Sequence, residues 1–208
     1  MRAQRAQRGF TMTPSTRAGT VLGIAVALCG ATAFAGPPTA AALPSDSVYQ
    51  LKLLLTDQQA RTADWRTRRG KPQLVSMFYT SCQYVCPLVV DSGKAIERQL
   101  SSSQQGNLGI LLISMDPKRD DSAALQAVVA KRKLDTQHWT LAAPRPGDVR
   151  AVAGVLGIRY RALADGEFNH TTALILLDGE GRIVARTEQM GSTPDPDFVA
   201  AVRKATGS

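Results

Sequence analysis

Two cysteines, Cys82 and Cys86, stand four positions apart in the stretch FYTSCQYVCPLVV, residues 78–90, and Pro87 follows the second directly. One sits in a loop and the other at the expected start of a helix, where a thiolate is stabilised by unpaired N–H groups. Such a pair can hold one metal ion, close a small disulfide ring, or exchange with the disulfide of a partner. The commonest redox pair has two residues between its cysteines, and this one has three. Spacing alone leaves the three chemistries open.

The chain has two histidines, His138 and His170. Two soft thiolates and one imidazole suit Cu(I) in a three-coordinate site, and can hold Cu(II) with an added ligand. Zinc accepts the same donors, but a structural zinc site wants a fourth protein ligand. His138, just before Trp139, reads as a packing or surface residue. His170 lies in the polar stretch Asp165–Thr171, read as a loop that enters an apolar strand.

The elements around these residues set their placement. A strand is expected from Val48 to Leu55, with Arg61 to Trp65 as a hairpin partner, and a buried strand from Gln73 to Tyr79. Pro87 is expected to open a helix that runs to about Ser101. Leu108 to Met115 reads as a second buried strand, and Asp120 and Asp121 lead into a helix ending near Leu134. A strand at Trp139–Ala142, a helix to Leu156 and a strand at Ile158–Leu163 follow. Thr172–Leu177 and Arg182–Thr187 form a hairpin through Asp178-Gly179-Glu180-Gly181, and a helix from Pro196 to Ala205 closes the chain. This order predicts an α/β, thioredoxin-like fold: a central mixed β-sheet flanked by helices, with an N-terminal β-hairpin. In such a sheet the strand after His170 starts opposite the cysteine loop. Thioredoxins place a proline there, and this chain has none between Gly147 and Pro194.

With these pieces in order, the sequence resembles the Sco/SenC family of thioredoxin-like copper chaperones that serve cytochrome c oxidase. RGKPQLVSMFYTSCQYVCP is similar to the family's strand, CxxxCP loop and helix start. ISMDPKRDD resembles its second strand and DPxRD turn, and FNHTTALILLDGEGRIV its distal-histidine segment. The resemblance runs from about Leu51 to Ala205. It implies one copper ion, Cu(I) or Cu(II), held by Cys82, Cys86 and His170. It also implies delivery of copper to, or reduction of the cysteines of, the copper A centre in oxidase subunit II. Expected partners are that subunit or another cuproprotein, with other copper chaperones or thiol reductants. Asp116 and Asp120 match the DPxRD turn and are expected to serve turn and helix capping. Many members carry proline and aspartate where Gln83 and Tyr84 stand, a difference in the rim of the site.

The N-terminus reads as an export segment. Arg2, Arg5, Arg8 and Arg17 precede an apolar run, and Ala33-Phe34-Ala35 supplies the small residues of a cleavage site. Residues 1–35 are expected to be a signal peptide, or an N-terminal anchor if uncleaved. A Pro- and Ala-rich linker at 36–47 and a thioredoxin-like copper-binding domain at 48–208 would follow. Cys29 leaves with the signal. The expected location is the periplasm, tethered to the inner membrane if the segment stays. The formal charge of +8 contains those four arginines and no acid from the same segment, so the mature chain carries +4. No basic cluster interleaved with aromatics indicates a nucleic-acid partner, and a monomer is expected.

A metallochaperone is the leading reading and a turnover enzyme is not expected. The alternative is a periplasmic thiol–disulfide oxidoreductase using Cys82 and Cys86, in which His170 only lines the site. A thiol peroxidase is weaker still, because no arginine accompanies Cys82 in its loop.

Overall fold

The computed structural model describes residues 42–81 and 85–207, with the backbone alone at Val85 and Cys86. The expected export segment, Cys29, Cys82, Gln83 and Tyr84 lie outside the described residues.

Apolar runs become the centre of a seven-stranded sheet. Its strands are β1 (Leu54–Asp57), β2 (Thr62–Asp64), β3 (Gln73–Phe78), β4 (Gly109–Ser114), β5 (Trp139–Pro144), β8 (Leu174–Leu177) and β9 (Ile183–Thr187), ordered β2-β1-β5-β4-β3-β8-β9. Every residue of β3, β4 and β8 is buried, as expected of strands covered on both faces. β3, β4 and β5 are parallel, whereas β8 is antiparallel to β3, so the sheet is mixed. A separate two-stranded hairpin, β6 (Tyr160–Ala162) and β7 (Phe168–His170), stands between helix α4 (Val149–Val155) and β8.

Helices α1 (Val85–Glu97) and α3 (Ser122–Arg132) make the crossovers from β3 to β4 and from β4 to β5, parallel connections that by rule are right-handed. They therefore lie on one face of the sheet, where Arg132 pairs with Asp91 and Lys94 Nζ donates to the Arg132 carbonyl at 3.0 Å. Helix α2 (Ser102–Gly106) and the C-terminal α5 (Pro196–Thr206) complete the domain. The expected mixed sheet, flanking helices and N-terminal hairpin are all present.

Several boundaries differ from expectation for local reasons. The first strand does not begin at Val48. Ser47 accepts a hydrogen bond from the Tyr49 N–H at 3.1 Å and turns Val48–Gln50 into a 3-10 turn. Leu43 and Ser47, read as linker, pack against the domain, and Val48 N–H donates to the Gly181 carbonyl. Gly181 has φ +80°, and a Cβ there would stand 2.4 Å from the Tyr49 ring. The helix after the cysteines starts at Val85, not at Pro87. Proline sits inside the first turn, where it has no hydrogen bond to lose. That helix ends at Glu97 because Ser101 and Gln104 form a capping box that begins a new helix.

Candidate metal centre

Sheet topology sorts the two histidines. The parallel strands β3, β4 and β5 have their C-terminal ends at one edge, and antiparallel β8 has its N-terminal end there. The cysteine loop leaves β3 at that edge, the Pro117–Asp121 turn leaves β4 there, and the hairpin bearing His170 leads into β8 there. His138 precedes β5 and so lies at the opposite edge, its carbonyl accepting from the Ile110 N–H at 2.8 Å. Its ring lies 3.8 Å from an Asp135 carboxylate oxygen. His138, expected to be a packing or surface residue, is half-buried and lies at the opposite end of the sheet from the root of the cysteine loop.

His170 is not in a loop, as expected from its polar neighbours, but on strand β7, paired with Tyr160. Gly166, with φ +84°, allows the tight turn between β6 and β7. The half-buried imidazole has Nδ1 3.1 Å from the Thr171 carbonyl oxygen. A carbonyl can only accept, so Nδ1 carries the proton and Nε2 keeps its lone pair. Burial pushes the imidazole pKa below its ordinary value, against a smaller upward pull from that carbonyl. Burial thus favours the neutral ring, and the Nδ1 contact leaves Nε2 as the nitrogen able to bind a metal. Among the described residues no three His, Cys, Asp or Glu side chains converge. The two thiols that would complete the set are not among the described side chains.

Cys86 is placed in the first turn of α1, directly beyond the loop that follows β3. The root of that loop is held by Asp120. Its Oδ1 accepts from the Thr80 N–H at 3.1 Å and from the Thr80 hydroxyl at 2.5 Å, and its Oδ2 accepts from Ser114 Oγ at 2.5 Å. Asp120 does not cap the helix; Asp121 does, accepting from the Ala124 N–H at 2.8 Å. Burial raises the Asp120 pKa, opposed by the hydrogen bonds from Ser114 and Thr80.

Asp116 pairs with Arg119, whose other guanidinium nitrogen donates to the Gly166 carbonyl in the hairpin turn. The Asp116–Asp120 turn thus reaches the cysteine loop on one side and the histidine hairpin on the other. From the end of β3, Tyr79 also reaches the hairpin, at Glu167. Sequence reasoning passed over Tyr79, Arg119 and Glu167, because each acts on a partner at least 47 residues away. A shallow recess of about 310 Å³ beside His170 is lined by Arg159, Tyr160, Arg161, Asn169 and Thr171.

Solved structures share this architecture. A SCO1/SenC family lipoprotein from Bacillus anthracis str. Ames matches with a TM-score of 0.67 at 20% identity, over 76% of this chain and 94% of that one. Bradyrhizobium japonicum ScoI with copper bound matches with a TM-score of 0.61 at 24% identity, over 74% and 98%. BsSco, a member of the Sco family of cytochrome c oxidase assembly proteins in which a disulfide switch was identified, gives 0.63 at 16%, over 75% and 92%. At these identities the likeness establishes the fold, which is thioredoxin-like. No curated protein matches the sequence. The sequence pattern of the SCO1/SenC family, however, spans residues 44–206, the whole of the domain just described, and the chain belongs to that family.

Proposed function

We propose that the protein is a copper-binding metallochaperone that acts in cytochrome c oxidase assembly, holding one Cu(I) or Cu(II) ion between Cys82, Cys86 and His170. The observation that carries this reading is the placement of the His170 ring. Its Nε2 is left free of the Thr171 contact, at the sheet edge from which the cysteine loop leaves. Further support comes from relatives: ScoI of Bradyrhizobium japonicum is known with copper bound, and BsSco belongs to a family of oxidase assembly proteins.

Copper is cargo here, so the site must release what it binds. A three-coordinate Cu(I) can take a thiolate or imidazole from a recipient before giving up its own ligand, which keeps the ion from water throughout. The recipient in this reading is the copper A centre of oxidase subunit II, or another cuproprotein, and other copper chaperones supply the ion. Residues 1–35 export the chain to the periplasm.

A second reading rests on the placement of Cys86 in the first turn of α1, a position that favours a thiolate. The reduced pair would attack a recipient disulfide, pass through a mixed disulfide and leave as a Cys82–Cys86 disulfide, with two thiols returned to the recipient. Preparing copper A cysteines for metal requires this step, so the two readings can serve one task.

Titration of the reduced protein with Cu(I) against a competing chelator separates them. The chaperone reading expects one-to-one binding that weakens at least about tenfold in His170→Ala. Binding indifferent to His170, with thiol exchange intact, would leave the oxidoreductase reading alone.

A further inference from the structure

The hairpin that carries His170 is not part of the main sheet. A two-stranded hairpin on its own is marginal in water, so side-chain contacts must decide where His170 stands relative to the cysteine loop. Tyr79 supplies several of them among the described residues. It is the first residue beyond β3, three positions before Cys82, and only 3% of its surface is exposed. Its hydroxyl donates to Glu167 Oε2 at 2.7 Å and accepts from the Phe168 N–H at 3.4 Å. Its ring meets Phe168 edge-on at 5.1 Å between centroids and His170 at 6.0 Å and 75°. The phenol thus binds the turn residue, the first residue of β7 and the imidazole at its end.

We propose that Tyr79 is a positioning residue that holds the β6–β7 hairpin, and with it the His170 imidazole, against the strand leading into Cys82. This inference rests on the copper reading of the same site and names what aligns its histidine. The ring packing orients the imidazole plane, because among the described residues the His170 side chain hydrogen-bonds only to the adjacent Thr171 carbonyl. The hydroxyl fixes the height of the hairpin, because Glu167 and Phe168 are consecutive backbone positions at its turn. A histidine so held need not be ordered when copper arrives, which raises affinity without adding a ligand.

The test is a double-mutant cycle read by Cu(I) affinity, with amide hydrogen exchange of the metal-free protein beside it. Tyr79→Phe keeps the ring and deletes both hydroxyl bonds. Half-exposed Glu167 can rehydrate, so the fold should persist. The expected result is a loss of roughly tenfold in affinity in the wild-type background and less than about twofold in the His170→Ala background. Exchange of the Phe168 amide should accelerate about tenfold. Glu167→Gln, which keeps an acceptor oxygen, should retain wild-type affinity, whereas Glu167→Ala should behave as Tyr79→Phe.

Equal losses in both backgrounds would overturn the proposal, since Tyr79 would then act through the cysteine loop or general stability. No loss in the wild-type background would overturn it as well. If His170→Ala itself left affinity unchanged, the copper reading would fail and the exchange measurement would decide alone. Unaltered protection at Phe168 would then overturn the positioning role, and accelerated exchange would sustain it.

Discussion

Asp120 Oδ1 accepts both the backbone N–H and the hydroxyl of Thr80, a residue 40 positions earlier in the chain. Two strands of the central sheet are thereby joined just where each gives way to a functional loop. The carboxylate is 1% exposed, and its other oxygen is taken by Ser114. Removing it in Asp120→Ala strands the Ser114 and Thr80 donors, at a cost of roughly 2–4 kcal/mol. Denaturant unfolding of the two proteins measures the difference.

The same carboxylate has a pH signature. Its folded pKa is raised by burial above the ordinary 3.8, so the native state binds the proton more tightly than the unfolded one. The stabilisation is complete below pH 3.8 and is lost as pH rises through the folded value. Asp120→Asn should lack that fall, so the stability gap between the two proteins will change with pH just above 3.8 and be constant well above it.

His170 titrates with the opposite sense. Its folded pKa is lowered below 6.5 by burial, so the unfolded state takes the proton first. Stability contributed by the neutral ring is present above pH 6.5 and is lost as pH falls through the lowered value. Proton NMR of the imidazole in the metal-free protein should give a midpoint below 6.5. A midpoint at or above it would remove the argument that the ring is held ready for a metal.

Arg119 uses separate guanidinium nitrogens for Asp116 and for the Gly166 carbonyl. Lysine cannot reproduce that fork. Arg119→Lys should therefore loosen the hairpin turn nearly as much as Arg119→Ala, seen as faster exchange of amides around Gly166. The global stability change should stay below about 1 kcal/mol, because the pair is at the surface.

Gly93 seats α1, the helix in which Cys86 lies, against Trp139. A Cβ at this position would stand 2.5 Å from the indole ring, which is itself 1% exposed and donates to Glu97 at 3.2 Å. Gly93→Ala should cost about 1–3 kcal/mol through overpacking, despite the better helix propensity of alanine. A lower unfolding midpoint with shifted Trp139 fluorescence checks this.

Local pattern alone determined much of this molecule. The largely apolar runs at 73–78, 109–114 and 174–177 can bury two faces only inside a covered sheet, and the helical stretches before and after 109–114 suit parallel crossovers to its neighbours. The paired cysteines and the scarcity of histidine made Cys82, Cys86 and His170 candidates before any geometry was known. Tertiary structure decided the rest, because the deciding contacts join positions far apart in the chain. His138 and His170 separate only when β5 is seen to run parallel to β3 and β8 antiparallel, which puts them at opposite edges of the sheet. Asp120 reads as a helix cap by proximity, yet Asp121 takes that role and frees Asp120 for Thr80. Tyr79 and Glu167 meet across 88 positions, a contact that no local pattern encodes, since it forms only once β3 and the histidine hairpin share one edge of the sheet.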